Sequence, residues 1–211
     1  MSATAPAVPN PLLIDIPEEL TGPRVRARRY REGDGATVAA AVAESRDRLV
    51  AAAMPWVQEW DDPNQPTIFV RRAQAQWAAR EGFLLGLWDR ASDDFLGSSG
   101  VHRIDWSVPN VEIGYWLRSQ YEGVGLMTEA VAMIAAFAFD ALRAQRVRIR
   151  CDARNARSAA VPRRLGFVHE ATLRNDARNA DGTLRDTFEF GLTPEEFHAA
   201  RAGPWRAILS C

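Results

Sequence analysis

The chain has 211 residues, of which 47% are hydrophobic and 25% charged, and its formal net charge is −1. This is the composition of an ordinary globular protein with room for one domain and a large core. The net charge excludes a global bias toward nucleic acid or acidic lipid. All 26 basic residues are arginine, which excludes a lysine acting as a Schiff-base nucleophile.

The chain has two cysteines, Cys151 and Cys211, and three histidines, without the spacing of a metal site. We therefore expect no metal. Two isolated cysteines indicate a reducing compartment, and the N-terminus lacks the pattern of a secretory signal. The longest apolar run, residues 130–139, is too short to span a bilayer. The sequence thus predicts a cytoplasmic protein with neither a nucleic-acid nor a membrane partner.

Residues 1–20 are predicted to form an N-terminal arm, and residues 21–211 a single domain. The prolines among residues 1–11 predict a disordered or loosely attached segment. Residues 12–16 are apolar enough to pack as a short strand.

The rest of the chain divides into helices and strands by its hydrophobic period. Asp34 is a good N-cap for the first helix, which Pro55 ends. Thr193, Pro194 and Glu196 are the signature of a capping box at the start of the last helix. The predicted strands are residues 25–28, 83–88, 95–104, 111–117, 147–151, 167–173 and 187–192, and the predicted helices are residues 36–53, 67–80, 125–142 and 158–165.

This order predicts an α/β (α+β) protein, with a mixed central sheet of about seven strands flanked by helices. The strands at 83–88, 95–104 and 111–117 are separated by short polar turns, so they read as an antiparallel meander. Asp181 and Gly182 form the turn between the last two strands.

The strongest local signal is the segment 113–130, which reads IGYWLRSQYEGVGLMTEA. A strand runs into a loop with two glycines, Gly123 and Gly125, and a helix follows. Free N–H groups and the dipole at a helix start favour an anion, and glycine lets the backbone approach a phosphate closely. Thr128 adds a hydroxyl in the first turn. The glycines alone also fit a plain strand-to-helix turn.

The QxxGxG pattern of this loop resembles the pyrophosphate-binding signature of the GNAT acyltransferases. Its surroundings, EIGYWL and EGVGLMTEAV, are similar to the RimJ/RimL-type ribosomal-protein N-terminal acetyltransferase branch. The NARS and RLGF segments at residues 155–158 and 164–167, and the final hairpin, also match that branch. The resemblance covers roughly residues 22–192.

The resemblance implies a sheet that splays between its fourth and fifth predicted strands, residues 111–117 and 147–151. The pantetheine arm of acetyl-CoA would lie in the gap like an added strand. Asn155 would bond the pantetheine from the other side. The implied cofactor-binding residues are Trp116, Leu117, Arg118, Gln120, Glu122, Gly123, Val124, Gly125, Met127, Thr128, Asn155 and Ser158.

The resemblance also implies that Ser158 lies near the cofactor sulfur, where its hydroxyl can protonate the departing thiolate. Many GNAT enzymes use a tyrosine at the position of Pro162, and that acid is absent here. Pro162 predicts a kinked or late-starting helix. Asn155 and Ser158 are also good N-cap residues, which is the alternative interpretation of both.

The general base is less clear from the sequence. Glu112 is the first candidate because it lies on the strand beside the expected gap, and an ion-paired strand carboxylate is its alternative interpretation. His102 and Asp176 are lesser candidates, and a water chain to bulk solvent would also suffice.

Two charged features bear on the predicted cofactor site. Glu122 stands where the branch usually has an uncharged or basic residue, and pairing with an arginine such as Arg118 would compensate for it. Residues 143–164 hold eight arginines, which we interpret as a solvated surface that partly meets the 3′-phosphate of CoA rather than as an RNA site. Trp56 and Trp60 lie near the loop that lines acceptor sites in this family.

The resemblance thus implies transfer of an acetyl group from acetyl-CoA to a primary amine, by direct attack in a ternary complex. Neither cysteine lies in the predicted loop, so no covalent intermediate is expected. The acceptor would be a protein N-terminus, with a small-molecule amine or antibiotic, or a non-catalytic acyl-CoA sensor, as alternatives. The resemblance also favours a homodimer over a monomer.

Overall fold

The structure, a computed structural model, describes residues 10–179 and 181–210. The strands are β1 Glu19–Thr21, β2 Val25–Arg29, β3 Phe83–Asp89, β4 Phe95–Asp105, β5 Asn110–Leu117, β6 Arg146–Asp152, β7 Val168–Arg178 and β8 Leu184–Leu192. The α-helices are α1 Asp34–Ala51, α2 Gln65–Ala79, α3 Leu126–Asp140, α4 Ala156–Arg164, α5 Pro194–Ala202 and α6 Trp205–Leu209. Short 3-10 helices cover Pro11–Leu13, Pro55–Asp61 and Ser119–Tyr121.

The eight strands form one sheet in the order β1-β2-β3-β4-β5-β6-β8-β7. Every neighbouring pair is antiparallel except β5 and β6, which are parallel. The mixed, mostly antiparallel sheet flanked by helices is therefore confirmed. The predicted count of about seven strands omitted β1, whose three residues are too few to show a hydrophobic alternation.

Helices cover both faces of the sheet, and β3 shows why. Phe83, Leu85 and Leu87 belong to the core cluster that contains α3, whereas Leu84 and Trp88 pack in the cluster that contains α1 and α2. Side chains alternate between the two faces of a strand, so a nearly continuous apolar strand supplies both layers.

Helix α3 is the central element of the first layer. Twelve of its fifteen residues are buried, which accounts for its apolar sequence on every side. In the described part of the chain, no helix is both long and apolar enough to cross a membrane.

The sheet opens between β5 and β6, as the resemblance implied. Their register contains three pairs and ends at Glu112 opposite Arg148. Strand β6 continues beside β8 as far as Asp152, while β5 continues beside β4 to Leu117. The two strands therefore diverge beyond Glu112 and leave a gap in the middle of the sheet.

The predicted strand at residues 12–16 is wrong. Residues 11–13 form a 3-10 helix, with Leu12 and Leu13 exposed. Arg80, just after α2, donates hydrogen bonds to the carbonyls of Pro11 and Ile14 at 3.3 and 3.1 Å. This part of the arm thus folds back on its own domain. The first nine residues, where a disordered segment was predicted, lie outside the described residues.

Two helix starts differ from the prediction. Gly33 is the N-cap of α1, and Asp34 is its first helical residue. The Asp34 carboxylate is occupied by Arg28 at 2.8 and 2.9 Å, so it does not cap. Helix α4 begins at Ala156, two residues before the predicted start, and contains Pro162. A late start is therefore wrong, whereas the capping box of α5 is confirmed.

Candidate active site

A cavity of about 690 Å³ lies at the gap between β5 and β6. Its lining includes Tyr115 and Trp116 of β5, Cys151 of β6, and Ser158 of α4. It also reaches the 3-10 helix between α1 and α2. The cavity therefore connects the two faces of the sheet through the gap.

Ser158 lies in this cavity and contacts Tyr115. The Tyr115 hydroxyl donates to the Ser158 carbonyl at 2.8 Å, and the Ser158 hydroxyl donates to the Tyr115 oxygen at 3.4 Å. Burial raises the pKa of Tyr115 well above its usual range, so the phenol keeps its proton at neutral pH. Tyr115 was missed in the sequence, although its place on β5, one residue after Gly114, put it beside the gap.

Asn155 and Cys151 complete the wall around Ser158. The Asn155 side chain accepts from the Ser158 backbone N–H at 3.0 Å and is the N-cap of α4, the alternative role that the sequence left open. Burial raises the pKa of the Cys151 thiol, which keeps it protonated. Among the groups on this wall, hydroxyls are therefore better hydrogen-bond donors to a sulfur than the thiol is.

Glu112 lies in the same cavity, where β5 and β6 part. Its side chain is 8% exposed and lies 3.2 Å from His102 Nε2, 3.3 Å from Arg103 Nη1 and 3.2 Å from Arg148 Nε. Burial alone would raise its pKa, but the hydrogen bond from His102 and the charges of His102, Arg103 and Arg148 hold the pKa of Glu112 below its usual value. Glu112 is thus ionised and ion-paired at neutral pH.

The other two candidate bases also reach the cavity. The His102 side chain is 44% exposed and links Glu112 toward solvent. Asp176 of β7 is held by an ion pair with Arg150. Within the cavity, Glu112 and His102 form a hydrogen-bonded pair suited to passing a proton outward.

The glycine loop follows β5 and starts α3. Gly123 has φ +84° and Gly125 has φ +87°, a region that favours glycine. A Cβ on Gly123 would meet nothing within 4 Å, so the space above the loop is open. Gly125 is the N-cap of α3 and forms no side-chain cap. The first N–H groups of α3 therefore have no side-chain cap, and groups of this kind favour an anion.

The remaining predicted cofactor residues surround this loop. Gln120 is exposed in the 3-10 helix and Val124 is exposed at the tip of the loop. Met127 is buried in the core, and Thr128 is half-buried. Leu117 packs against the core at the end of β5. Of these side chains, Gln120 and Val124 are thus open to solvent, whereas Met127 belongs to the core.

The loop is anchored by a pair that sequence reasoning missed. Glu129, 3% exposed, accepts from the backbone N–H groups of Arg24 and Val25 at 2.7 and 2.9 Å. It also accepts from Arg24 Nε at 2.9 Å, and Arg24 Nη1 donates to the Val124 carbonyl at 2.9 Å. A carboxylate in the first helical turn indicates a favourable dipole interaction, but nothing in the sequence indicated its partner Arg24, just before β2.

Glu122 pairs with arginines other than the one expected. Arg118 is bound to Glu44 and to the Phe95 carbonyl. The Glu122 carboxylate lies 2.6 Å from Arg157 of α4 and 3.4 Å from Arg48 of α1. The expected compensation of Glu122 is present, but two other helices supply it.

The arginine-rich segment 143–164 is largely neutralised by ion pairs. Five of its arginines have carboxylate partners within 4 Å. Three alternate along β6, and two lie just before or within the first turn of α4. The five are Arg146, Arg148, Arg150, Arg154 and Arg157. This arrangement favours the interpretation as a paired surface, because a continuous basic patch would need free guanidinium groups.

Aromatic side chains line the part of the cavity near α1 and α2. The Trp56 and Trp116 rings are 5.8 Å apart, and the Trp60 and Phe69 rings are 5.3 Å apart. Trp56 and Trp60 both belong to the 3-10 helix between α1 and α2. The face opposite α4 is therefore bounded by an aromatic wall, which we define as Trp56, Trp60, Phe69 and Trp116.

Known acetyltransferases share this fold. The protein known as "RimL- Ribosomal L7/L12 alpha-N-protein acetyltransferase", solved in complex with coenzyme A, superposes with a TM-score of 0.77 at 17% identity, covering 86% of this chain and 98% of that one. The microcin C7 self-immunity acetyltransferase MccE, solved with acetyl-CoA and AMP, gives a TM-score of 0.76 at 18% identity, over 81% and 93% of the two chains.

Sequence comparison leads to the same family. A Bacillus subtilis (strain 168) protein named "Putative ribosomal N-acetyltransferase YdaF" is 32% identical over 126 residues, 60% of this chain and 67% of that protein. The chain spans between 46% and 67% of the length of four curated relatives that it matches. The family described as "Acetyltransferase (GNAT) domain" matches residues 24–168. The chain therefore belongs to the GNAT family of N-acetyltransferases.

Proposed function

We propose that this protein transfers the acetyl group of acetyl-CoA to a primary amine by direct attack within a ternary complex. The observation that carries the proposal is the gap beyond Glu112, where one cavity joins Ser158 on one face to the aromatic wall on the other. A thioester held in this gap is accessible to an amine from the opposite face. Proximity of this kind is a large part of bimolecular catalysis.

The residues present fit CoA. Beyond Glu112 the β5 backbone has lost its β6 partner, so its polar groups near Trp116 and Leu117 suit the pantetheine amides in strand addition. The open space above Gly123 and the start of α3 suit the pyrophosphate. Acetyl-CoA supplies the activated acyl group in this assignment.

The amine nitrogen attacks the thioester carbonyl carbon, the C–S bond breaks, and the thiolate leaves. The Ser158 hydroxyl donates a hydrogen bond to the leaving sulfur, which stabilises the charge that develops there. The proton lost by the amine passes to the ionised Glu112 or through His102 toward solvent. Because Glu112 is ion-paired and its pKa is lowered, we favour a relay that delivers the proton to water.

The acceptor in this proposal is a protein N-terminus. The names of the Bacillus subtilis relative and of the structural neighbour RimL support it. The aromatic wall favours an apolar group next to the amine, and a small aromatic amine would use the same wall. That second acceptor class is the alternative, together with a non-catalytic acyl-CoA sensor.

A thiol-release assay tests the proposal. The protein is mixed with acetyl-CoA and a panel of peptides with different N-terminal residues, matched peptides with acetylated N-termini, and small aromatic amines. We expect thiol release that depends on a free amine, with acetylated peptide as the product in mass spectrometry. Acetyl-CoA binding without amine-dependent release over the whole panel would instead favour the sensor.

A further inference from the structure

An acidic residue occupies the loop that would hold the cofactor phosphates. Glu122 directly precedes Gly123, and its side chain is 30% exposed. Its carboxylate lies 2.6 Å from Arg157 Nη1 and 3.4 Å from Arg48 Nη2. Three elements, the loop, α4 and α1, therefore meet at one anionic oxygen.

The arginines near this loop are of two kinds. Arg24 and Arg118 are tied to backbone carbonyls as well as to carboxylates, so their guanidinium groups have fixed positions. Arg48 and Arg157 are more than half exposed. Within the described residues, Glu122 is the ion-pair partner recorded for both.

Such an exposed ion pair is weak, because water screens the charges and both side chains lose freedom. The pyrophosphate of CoA carries two negative charges against one for a carboxylate, and a phosphate accepts a bidentate guanidinium bond. A phosphate arriving at the loop can therefore displace Glu122 from Arg157. Without a second arginine, the displaced carboxylate would stand unpaired beside the anion, at a cost in affinity.

We propose that Arg157 is a ligand of a CoA phosphate, and that Glu122 holds Arg157 in position and competes with the cofactor for it. Glu122 thus lowers the affinity for CoA, because it competes for Arg157. Before CoA binds, it also keeps the Arg157 side chain ordered beside the loop. The inference rests on the assignment of the loop to CoA in the proposed function. Arg48 remains beside Glu122 and neutralises it when Arg157 changes partner.

Titration calorimetry of CoA binding to four variants tests whether Arg157 changes its partner from Glu122 to a phosphate. The variants are Glu122→Gln, Arg157→Gln, the double variant, and Arg164→Gln. Arg164 is the matched control, because it is an exposed arginine of the same helix, about 10 Å further along its axis. We expect Glu122→Gln to bind CoA about threefold more tightly, because it no longer competes for Arg157. In the Glu122→Gln background, Arg157→Gln should weaken binding about tenfold, the scale of one hydrogen bond between charged groups.

Three ligands identify the phosphate. If the Arg157→Gln effect is kept with 3′-dephospho-CoA and lost with 4′-phosphopantetheine, the pyrophosphate is the partner. If it is already lost with 3′-dephospho-CoA, the 3′-phosphate is the partner.

Two results would overturn the inference, and they are distinguishable. If Arg157→Gln changes CoA affinity no more than Arg164→Gln does in the Glu122→Gln background, Arg157 is not a ligand, although the loop assignment survives. If the wild-type protein does not bind CoA, the proposed function fails and this inference fails with it. Thermal unfolding of each variant checks that the exposed substitutions leave the fold intact.

Discussion

The Tyr115 hydroxyl donates a 2.8 Å hydrogen bond to the backbone carbonyl of Ser158, which lies four residues before Pro162. In a regular helix the N–H of residue 162 would bond that carbonyl, but proline has no N–H. Tyr115 thus supplies the missing donor from β5. Pro162 stands where many GNAT enzymes have a tyrosine acid. A different tyrosine, Tyr115, compensates for the N–H that this proline lacks and also contacts the Ser158 hydroxyl.

Tyr115→Phe should destabilise the protein by about 1 kcal/mol, because it leaves a partly buried carbonyl without a donor. Chemical denaturation measures the change. The control is Tyr115→Phe combined with Pro162→Ala, since the backbone N–H of the introduced alanine would restore the helical bond. The double variant should be more stable than Tyr115→Phe alone; equal stability would contradict this account.

Ser158→Ala should lower kcat about 100-fold while CoA affinity changes little, because the hydroxyl acts on charge that develops at the sulfur in the transition state. Steady-state kinetics and calorimetry separate the two effects. A variant with normal kcat and reduced stability would instead make Ser158 a structural residue of α4.

Asn155 allows its capping role and its cofactor role to be separated. Asn155→Asp keeps an N-cap oxygen but removes the amide donor, whereas Asn155→Ala removes both. We expect Asn155→Ala to cost about 1 kcal/mol of stability, and Asn155→Asp to keep stability but weaken CoA binding. Unchanged CoA affinity in Asn155→Asp would leave capping as the role of this residue.

Gly123→Ala should weaken CoA binding, because the new side chain enters the space above the loop and the positive φ disfavours it. Gly33→Ala is the matched control. Gly33 also has a positive φ and open space around it. It is far from the glycine loop: Ser45 of α1 accepts a hydrogen bond from the backbone of Ser119, just before the loop, and Gly33 lies about 18 Å from Ser45 along the helix axis. Both variants should lose about 1 kcal/mol of stability, but only Gly123→Ala should lose CoA affinity, as calorimetry would measure.

Glu112 should make stability depend on pH in the acid range. Its folded-state pKa is lowered, so its contribution is fully present above the ordinary carboxyl pKa and is lost as the pH falls through the lowered value. Glu112→Gln should therefore cost about 3 kcal/mol near pH 7, and the difference from wild type should shrink at acid pH. Denaturation of both proteins at pH 7 and pH 3 measures this, and a difference that does not depend on pH would contradict it.

The predicted homodimer can be tested together with the arm. Because residues 11–14 are bound to Arg80 of their own domain, we expect a chain that begins at Pro17 to keep the oligomeric state of the full chain. Light scattering across a micromolar range compares the two. Monomers in both cases would rule out the dimer, and a dimer lost on truncation would assign the interface to the arm.

The parts of this structure that could be predicted have local chemical signals. The loop at residues 120–125 combines glycines, a preceding strand and a following apolar helix, and each of these can be recognised from a few neighbouring residues. Thr193 and Glu196 likewise indicate a capping box within four residues. β1 had no such signal, because a strand of three residues is defined by its partner rather than by its own pattern.

The contacts that organise the site join residues that are distant in sequence. Tyr115 and Ser158 are 43 residues apart, Glu122 and Arg157 are 35 apart, and Arg24 and Glu129 are 105 apart. Which arginine meets Glu122 depends on how α1, α4 and the loop pack together. The expected partner, Arg118, was near in sequence but is bound to Glu44 on another side.

The cations around the glycine loop have a chemical consequence for a protein that holds a reactive thioester. Arg24, Arg48 and Arg157 surround the loop, and a guanidinium cation has no lone pair free to attack an acyl group. A lysine in any of these exposed places would offer an amine that a second acetyl-CoA molecule from solution could acetylate, and its charge would then be lost. The loop therefore keeps its positive surroundings through repeated encounters with the acyl donor.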